Sequence, residues 1–214
     1  RIMGLFDLAD GYNNMLMADE ESKDLTTFTT PLGAWRFLVL AQGLCVAPSA
    51  FQNFMDGIFR DSINSHMAVY LDDILIYSRS HKEHLDHLSQ FFSTAKKSGL
   101  RVKASKSLLF TTEADFLGHK IKLSDGVCEI RAQSSKTEAI SSWITPRSNK
   151  QLQQFLGLAN YYNRLIPNYA EIAAPLTSIA ATTWGENDYE EFWNNAENEA
   201  FEKLKKALTS DNVV

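Results

Sequence analysis

The sequence predicts an α+β fold in which strands and helices mix in the first part and helices alone follow. Short segments rich in β-branched and aromatic residues, separated by turns, occupy the first part of the chain. From Ser134 onward, apolar residues recur at helical spacing instead. The chain has 214 residues, of which 44% are apolar and 22% charged, so it can bury a substantial core.

Each predicted element has its own local signal. Strands are predicted where β-branched or aromatic residues lie between turn residues: 1–12 with its closing turn, 26–30, 35–40, 67–77, 100–102, 108–110 and 116–121. Helices are predicted where apolar residues recur every three to four positions: about four turns from Pro48, then 81–98, 135–143, 149–166, 171–181 and 194–208. Pro48 suits a first helical turn and Gly99 suits a helix end, whereas Pro146 and Pro167 interrupt the later helices.

Charge is unevenly distributed along the chain. The net charge of −5 argues against a protein that coats nucleic acid through bulk electrostatics. Residues 96–136 nevertheless carry nine basic side chains against four acidic ones, and residues 186–202 carry seven acids and no base. Either run alone is typical of a solvated face, so only its position relative to a catalytic motif can assign it a role. No apolar stretch approaches the ~20 residues of a membrane span, so we expect no membrane partner.

Three histidines recur every third residue on the predicted helix 81–98. His81, His84 and His87 lack the cysteine partners of a zinc site. We interpret them as one solvated face of the helix, with metal binding as the less favoured alternative.

Two adjacent carboxylates interrupt the most apolar strand. Asp72 and Asp73 lie in the middle of Val69–Tyr77, whose other residues are apolar or aromatic. On a continuous strand one of them would face the core, at a cost of several kcal/mol. At the tip of a hairpin both can face one open site, where a cation such as Mg²⁺ would neutralise them. An ordinary Asp-Asp turn is the alternative.

A third carboxylate lies in a similar setting near the start of the chain. Asp7 is flanked by the apolar strand residues Phe6 and Leu8. Three carboxylates around two metal ions are the minimal apparatus for nucleotidyl transfer, in which one ion activates a hydroxyl and the other stabilises the leaving pyrophosphate.

With these residues, the chain resembles the reverse transcriptases of gypsy-type (Metaviridae) LTR retrotransposons and, more distantly, the retroviral polymerases. Tyr70–Asp73 is similar to the YxDD motif of the family, and Phe6–Leu8 followed by Tyr12 is similar to its first catalytic motif. Further matches in family order are Gln42-Gly43-Leu44, Ala47-Pro48, Phe51-Gln52, Lys106, Phe116-Leu117-Gly118-His119, Phe155-Leu156-Gly157-Leu158 and Asn160-Tyr161-Tyr162. The resemblance covers nearly the whole chain.

The resemblance implies a right-hand polymerase architecture. It predicts an antiparallel-sheet palm with packed helices and partial fingers, then a helical thumb and the start of a connection domain. The palm is assigned to residues 1–125, with fingers at about 13–48, the thumb to 126–180 and the connection to 181–214. We therefore expect a fragment of a Pol polyprotein whose partners include its own flanking fingers and RNase H segments.

The resemblance also assigns roles to individual residues. Asp7, Asp72 and Asp73 are implied to be catalytic and to bind two Mg²⁺ ions, or Mn²⁺, with the Leu8 carbonyl as a further ligand. The positions implied to bind the nucleotide are Tyr12, Gln42, Tyr70 and Leu71. The positions implied to bind primer and template are Lys106, Phe116, Leu117, Gly118, His119, Gln153, Gly157 and Tyr161.

Two of these assignments have structural alternatives. At the position of Tyr12 the family places an aromatic ring that excludes a 2′-hydroxyl. The alternative is that Tyr12 is only a core aromatic after a glycine turn. Gln153, Gly157 and Tyr161 recur every four residues and share one helix face, which could contact a nucleic-acid minor groove or only pack against protein.

The function implied by the resemblance is RNA-directed DNA polymerase activity, a nucleotidyl transfer from dNTPs to a primer 3′ hydroxyl on an RNA or DNA template. We expect weak or no activity from this chain alone, because the family's triphosphate-binding fingers precede the first catalytic strand. The alternative is a retained retroelement module that binds RNA or a partner protein without catalysis. Either function implies an intracellular location, in a cytoplasmic particle or the nucleus.

Overall fold

The computed structural model describes residues 1–124 and 127–209 and divides into two compact units, Arg1–Phe116 and Leu117–Val214. Each unit has its own hydrophobic core. Among the described residues, no helix combines the length and apolarity needed to cross a bilayer.

The predicted helices form in the predicted order, and so do the predicted strands except those at 35–40, 100–102 and 116–121. The chain leaves the strand conformation after Trp35, and a turn at Leu117 and Gly118 interrupts the segment 116–121. The strands are β1 (Ile2–Asp7), β2 (Phe28–Thr30), β3 (Gly33–Trp35), β4 (Met67–Tyr70), β5 (Asp73–Ser78), β6 (Leu108–Thr111), β7 (Glu113–Phe116), β8 (His119–Ser124) and β9 (Val127–Ala132). The helices are α1 (Glu20–Asp24), α2 (Ala47–Ile58), α3 (His81–Lys97), α4 (Ser134–Ser141), α5 (Asn149–Tyr161), α6 (Tyr169–Ala180), α7 (Tyr189–Phe192) and α8 (Asn195–Thr209). The strand predicted at 100–102 is wrong, since Val102 makes only an isolated bridge to Leu8.

The first unit is built on a four-stranded antiparallel sheet with strand order β4-β5-β1-β6. Helices α2 and α3 bury their apolar residues in the same core as the sheet: Phe51, Met55 and Phe59 from α2, Leu88, Phe91 and Ala95 from α3, and Phe6, Ile74 and Ile76 from the strands. Ser80 caps the start of helix α3, because its side chain accepts a hydrogen bond from the amide of Glu83. The helix ends before Gly99, which has φ 71°. The two central strands therefore have one face fixed against helices.

The second unit combines the β8–β9 pair with a helical core. The buried side chains of this core come from several helices and the segments between them, among them Phe155, Tyr162, Leu176, Trp184, Phe201 and Leu204. The segments assigned to the thumb and to the connection thus share one hydrophobic core. The predicted boundary between palm and thumb falls at residues 125 and 126, which lie outside the described residues. Residues 210–214 of the connection segment also lie outside them. The three-part domain assignment therefore stays a prediction.

The interpretation of His81, His84 and His87 as one solvated face is wrong for His84, which is fully buried. His84 Nε2 lies 2.8 Å from the carbonyl of Leu109 on β6, and Ser78 Oγ lies 2.8 Å from Nδ1 of both His84 and His87. A carbonyl can only accept, so Nε2 of His84 donates to it, while the Ser78 hydroxyl bridges the Nδ1 atoms of His84 and His87. His84 therefore ties α3 to two strands.

A further histidine, His66, stacks on His87 with ring centroids 3.7 Å apart and is itself buried. Within the described residues, its Nε2 is buried without a hydrogen-bond partner. Burial, with the nearby His87, lowers the pKa of His66. Burial also lowers the pKa of His84. Both rings are consequently held neutral in the folded chain.

We predict that acid destabilises the first unit through these rings. Because the folded-state pKa values of His66 and His84 lie below the unfolded value of about 6.5, the unfolded chain binds more protons below that pH. The free energy of unfolding should be constant at higher pH and fall below about pH 6.5, by up to about 1.4 kcal/mol per pH unit for each histidine.

Urea unfolding between pH 8 and pH 5 measures this slope. His66→Phe should flatten it, whereas His81→Gln, at an exposed position on α3, should leave it unchanged. An unaltered slope in His66→Phe would contradict the assignment for His66.

Candidate functional site

Strand register brings two distant carboxylates together at one end of the sheet. Strands β1 and β5 run antiparallel with Phe6 opposite Ile74 and Asp7 opposite Asp73. Phe6 and Ile74 point into the core, so the next pair points to the other face. Directly opposed residues have Cβ atoms about 5 Å apart, which makes Asp7 and Asp73 neighbours although 65 positions separate them.

Asp72 joins this pair through the turn between β4 and β5. The strand predicted over 67–77 is broken at Leu71 and Asp72, which confirms the predicted hairpin. The amide of Leu8 donates to the carbonyl of Asp72 at 3.2 Å and so ties the turn to the end of β1. Desolvation by burial, then the charges of Asp72 and Asp7, raise the pKa of Asp73. The three carboxylates therefore share one electrostatic environment.

Lys106 supplies a positive charge to this cluster. Its Nζ lies 3.1 Å from Oδ2 of Asp7, and it partly offsets the rise in the pKa of Asp73. The segment before it is anchored beside β1, since the amide of Lys103 donates to the carbonyl of Asp7 at 2.8 Å. The resemblance assigned Lys106 to nucleic acid; in the structure its side chain, which is 61% exposed, forms an ion pair with the carboxylate of Asp7.

Carboxylates crowded at one place suit a divalent cation, but they are not already arranged around one. Among the described residues, no three His, Cys, Asp or Glu side chains form a group that could hold a metal ion. Burial, followed by the negative charges of Asp72 and Asp7, raises the pKa of Asp73. The donor set of hard oxygen atoms fits Mg²⁺ or Mn²⁺ in chemical type.

Gln52 holds the turn that carries Asp72. Leu71 has φ 53°, a left-handed conformation that is costly for a branched side chain. Its amide donates to Oε1 of Gln52 at 2.7 Å, while Nε2 of Gln52 donates to the carbonyl of Val69 at 3.3 Å and to Asp56 at 2.8 Å. Sequence reasoning quoted Gln52 only as part of a motif and missed this role, because the contact joins helix α2 to a turn 19 residues away.

The predicted nucleotide-binding residues all belong to the first unit, where Tyr12 packs on α2. The Tyr12 ring stacks on Phe51 with centroids 4.9 Å apart and stays half-buried. A half-buried ring can serve both as a core aromatic and as a contact for a substrate, so this position agrees with both interpretations of Tyr12. Gln42 is exposed before Gly43, Tyr70 is 55% exposed on β4, and Leu71 packs partly against the core.

The predicted primer- and template-binding residues are divided between the units, and Phe116 ends the first. In the second, Leu117 and Gly118 form a left-handed turn before His119, with φ 47° and 70°. Gln153, Gly157 and Tyr161 are exposed at successive turns of α5 and its end, which confirms that they share one helix face. Nε2 of Gln153 donates to the carbonyl of Ala180 at 3.3 Å. An added Cβ at Gly157 would meet no atom within 4 Å.

Comparison with known proteins identifies relatives of this chain. A family model described as "Reverse transcriptase (RNA-dependent DNA polymerase)" matches residues 1–121. The Retrovirus-related Pol polyprotein from transposon 297 of Drosophila melanogaster is 39% identical over 209 residues, which cover 97% of this chain and 19% of that protein. The Transposon Tf2-3 polyprotein of Schizosaccharomyces pombe is 28% identical over 208 residues, covering 97% of this chain and 15% of that protein. The chain thus spans about a fifth or less of these relatives.

Solved structures show the same fold. The foamy viral protease-reverse transcriptase dRH in complex with double-stranded DNA superposes with a TM-score of 0.81 at 27% identity, over 97% of this chain and 35% of that one. The foamy viral protease-reverse transcriptase in complex with an RNA/DNA hybrid gives 0.77 at 27% identity, over 97% of this chain and 27% of that one. These matches confirm the α+β polymerase palm and the gypsy-type resemblance. The chain belongs to the reverse transcriptase family.

Proposed function

We propose that this chain is the core of an RNA-directed DNA polymerase from a retrotransposon Pol polyprotein. The observation that carries the proposal is the β1–β5 register, which sets Asp7 opposite Asp73 beside Asp72. Such a triad suits transfer of a nucleotidyl group to a primer 3′ hydroxyl. Support comes from its similarity to retrotransposon polyproteins and to reverse transcriptases that hold DNA or an RNA/DNA hybrid.

Asp7, Asp72 and Asp73, with the carbonyl of Leu8, would hold two divalent cations, Mg²⁺ or Mn²⁺. When bound, these ions would activate the primer hydroxyl and stabilise the charge of the leaving pyrophosphate. Lys106 balances part of the carboxylate charge through Asp7, so the cluster can stay ionised before a cation arrives. Gln52 keeps the turn at Leu71 and Asp72 in place throughout.

The remaining residues of the first unit would orient the incoming dNTP. Tyr12 is held by its stack on Phe51, so its ring can act as a rigid wall against a 2′-hydroxyl. The exposed Gln42 can contact the nucleotide, while Tyr70 and Leu71 lie beside the carboxylates.

The second unit would contribute to holding primer and template. The Leu117–Gly118 turn with His119 would contact the primer end, while Gln153, Gly157 and Tyr161 would face the duplex. An exposed face interrupted by a glycine allows close approach of a nucleic-acid backbone. Flanking fingers and RNase H segments of the polyprotein would complete the enzyme.

Neutralising the Asp pair should abolish synthesis without abolishing binding. In the double variant Asp72→Asn with Asp73→Asn, we expect single-turnover primer extension to fall by at least about 100-fold, because oxygen ligands lose their charge. The affinity for the duplex should stay within about twofold, since the proposed contacts with primer and template involve other residues. Asp86→Asn, at an exposed position on α3, is the matched control.

Primer extension by excess protein and fluorescence anisotropy of a labelled duplex provide the two readouts. Equal extension by the double variant and the parent chain would refute the catalytic assignment. Duplex binding without any extension by the parent chain would favour the non-catalytic module.

Removing the Lys106 charge should favour cation binding. Lys106→Gln frees the Asp7 carboxylate of its ion pair, so Mn²⁺ measured by electron paramagnetic resonance should bind about 2–5-fold more tightly. Lys103→Gln, an exposed lysine in the same segment, should leave Mn²⁺ affinity nearly unchanged. Weaker Mn²⁺ binding in Lys106→Gln would contradict the competition between lysine and metal.

Loss of the Gln52 amide should loosen the catalytic turn. Gln52→Ala leaves the Leu71 amide without its acceptor, so the free energy of unfolding should fall by about 1–2 kcal/mol and primer extension should slow. Gln52→Glu keeps an acceptor for the Leu71 amide, so its free energy of unfolding and its extension rate should lie between those of Gln52→Ala and the parent chain. Asn53→Ala, exposed on the same helix, controls for a change in α2 itself. Chemical denaturation and single-turnover extension measure both effects, and an unchanged rate in Gln52→Ala would argue against the role.

A further inference from the structure

The turn that begins the second unit has a backbone conformation that its sequence does not favour. Leu117 and Gly118 both have positive φ, 47° and 70°. Glycine adopts this region freely, but a branched apolar residue there costs about 1–2 kcal/mol. Such a conformation persists only where surrounding contacts hold it.

Those contacts come from two adjacent tyrosines at the end of α5. The hydroxyl of Tyr161 donates to the carbonyl of Leu117 at 2.6 Å, and the hydroxyl of Tyr162 donates to the carbonyl of Gly118 at 2.8 Å. Each carbonyl also accepts a second bond, from His119 Nδ1 at 2.8 Å and from the Gln133 amide at 3.1 Å respectively. Both carbonyl oxygens of the left-handed turn are thereby fixed in direction.

The tyrosines are suited to hold the turn because one of them is anchored in the core. Tyr162 is 1% exposed, and burial raises the pKa of its hydroxyl, so it stays protonated and able to donate. The His119 ring lies 5.5 Å from the Tyr161 ring and 5.2 Å from the Tyr162 ring. Tyr161 is 53% exposed and contributes less packing, yet its hydroxyl is also bonded to the turn.

We propose that Tyr161 and Tyr162 are positioning residues whose hydroxyls fix the Leu117–Gly118 turn in the shape in which it contacts the primer end. This inference rests on the proposed function, in which that turn contacts the primer. The rings supply packing, whereas the hydroxyls supply direction, so the two contributions are separable by removing oxygen alone. A misaligned primer end slows the chemical step more than it weakens duplex binding.

Tyr162→Phe and Tyr161→Phe test the proposal, with Tyr169→Phe as the matched control. Tyr169 packs against the same core but does not bond to the turn. We expect single-turnover primer extension to fall by about 3–10-fold in each of the first two variants, from the loss of one hydrogen bond, and to stay unchanged in the control. The duplex dissociation constant should stay within about twofold in Tyr162→Phe, since that side chain is buried and cannot reach a phosphate.

The extension rates of the single variants distinguish positioning from general stability. An extension rate in Tyr162→Phe equal to that of the parent chain would overturn the proposal. An equal loss in Tyr169→Phe would also overturn it, since the cause would then be packing.

Amide hydrogen exchange separates this inference from the proposed function. Measured without nucleic acid, the amides of Gly118 and His119 should exchange faster in Tyr162→Phe than in the parent chain, and at the parent rate in Tyr169→Phe. If the parent chain neither binds a primer duplex nor extends it, the proposed function fails whatever the exchange shows. If the parent chain extends primers and exchange is the same in all variants, only the positioning role fails.

Discussion

The site depends on the antiparallel register between β1 and β5. Because side chains alternate along a strand, a shift of one residue would turn Asp7 into the core and Phe6 toward solvent. The register is set by apolar burial, since Phe6 and Ile74 face the core formed with α2 and α3. The helices therefore decide, through hydrophobic packing on one face, which carboxylates meet on the other.

Gathering three carboxylates creates a repulsion that the surrounding residues must offset. Burial and then this repulsion raise the pKa of Asp73, and the positive charge of Lys106, paired with Asp7, offsets part of the rise. Gln52 offsets a different cost, the left-handed backbone at Leu71, by accepting the amide that the turn would leave unpaired. Charge and strain at the site are thus balanced by a few side chains from α2 and the segment before β6.

The second unit repeats this device at another left-handed turn. The hydroxyl of Tyr161 and Nδ1 of His119 donate to the carbonyl of Leu117, whereas Gln52 accepts from the amide of Leu71. In both places a branched apolar residue has positive φ, and polar side chains from a packed helix fix the backbone around it. Strained turns held by rigid helices are typical of functional sites, because they keep backbone groups in a defined position.

The sequence by itself determined the local elements and the chemistry it could support. Apolar spacing predicted α2 and α3, and the cost of burying Asp72 or Asp73 predicted the β4–β5 hairpin. The setting of Asp7 between apolar strand residues joined it to that pair, and the motif resemblance implied the same set. Only the tertiary structure showed the buried His84, the Lys106 ion pair, the Gln52 support and the Tyr162 bond to Gly118. Each of these contacts joins residues that are far apart in the chain. Sequence periodicity indicates only which face of a helix or strand a residue occupies. The residue that it contacts depends on how the faces pack together in the tertiary structure.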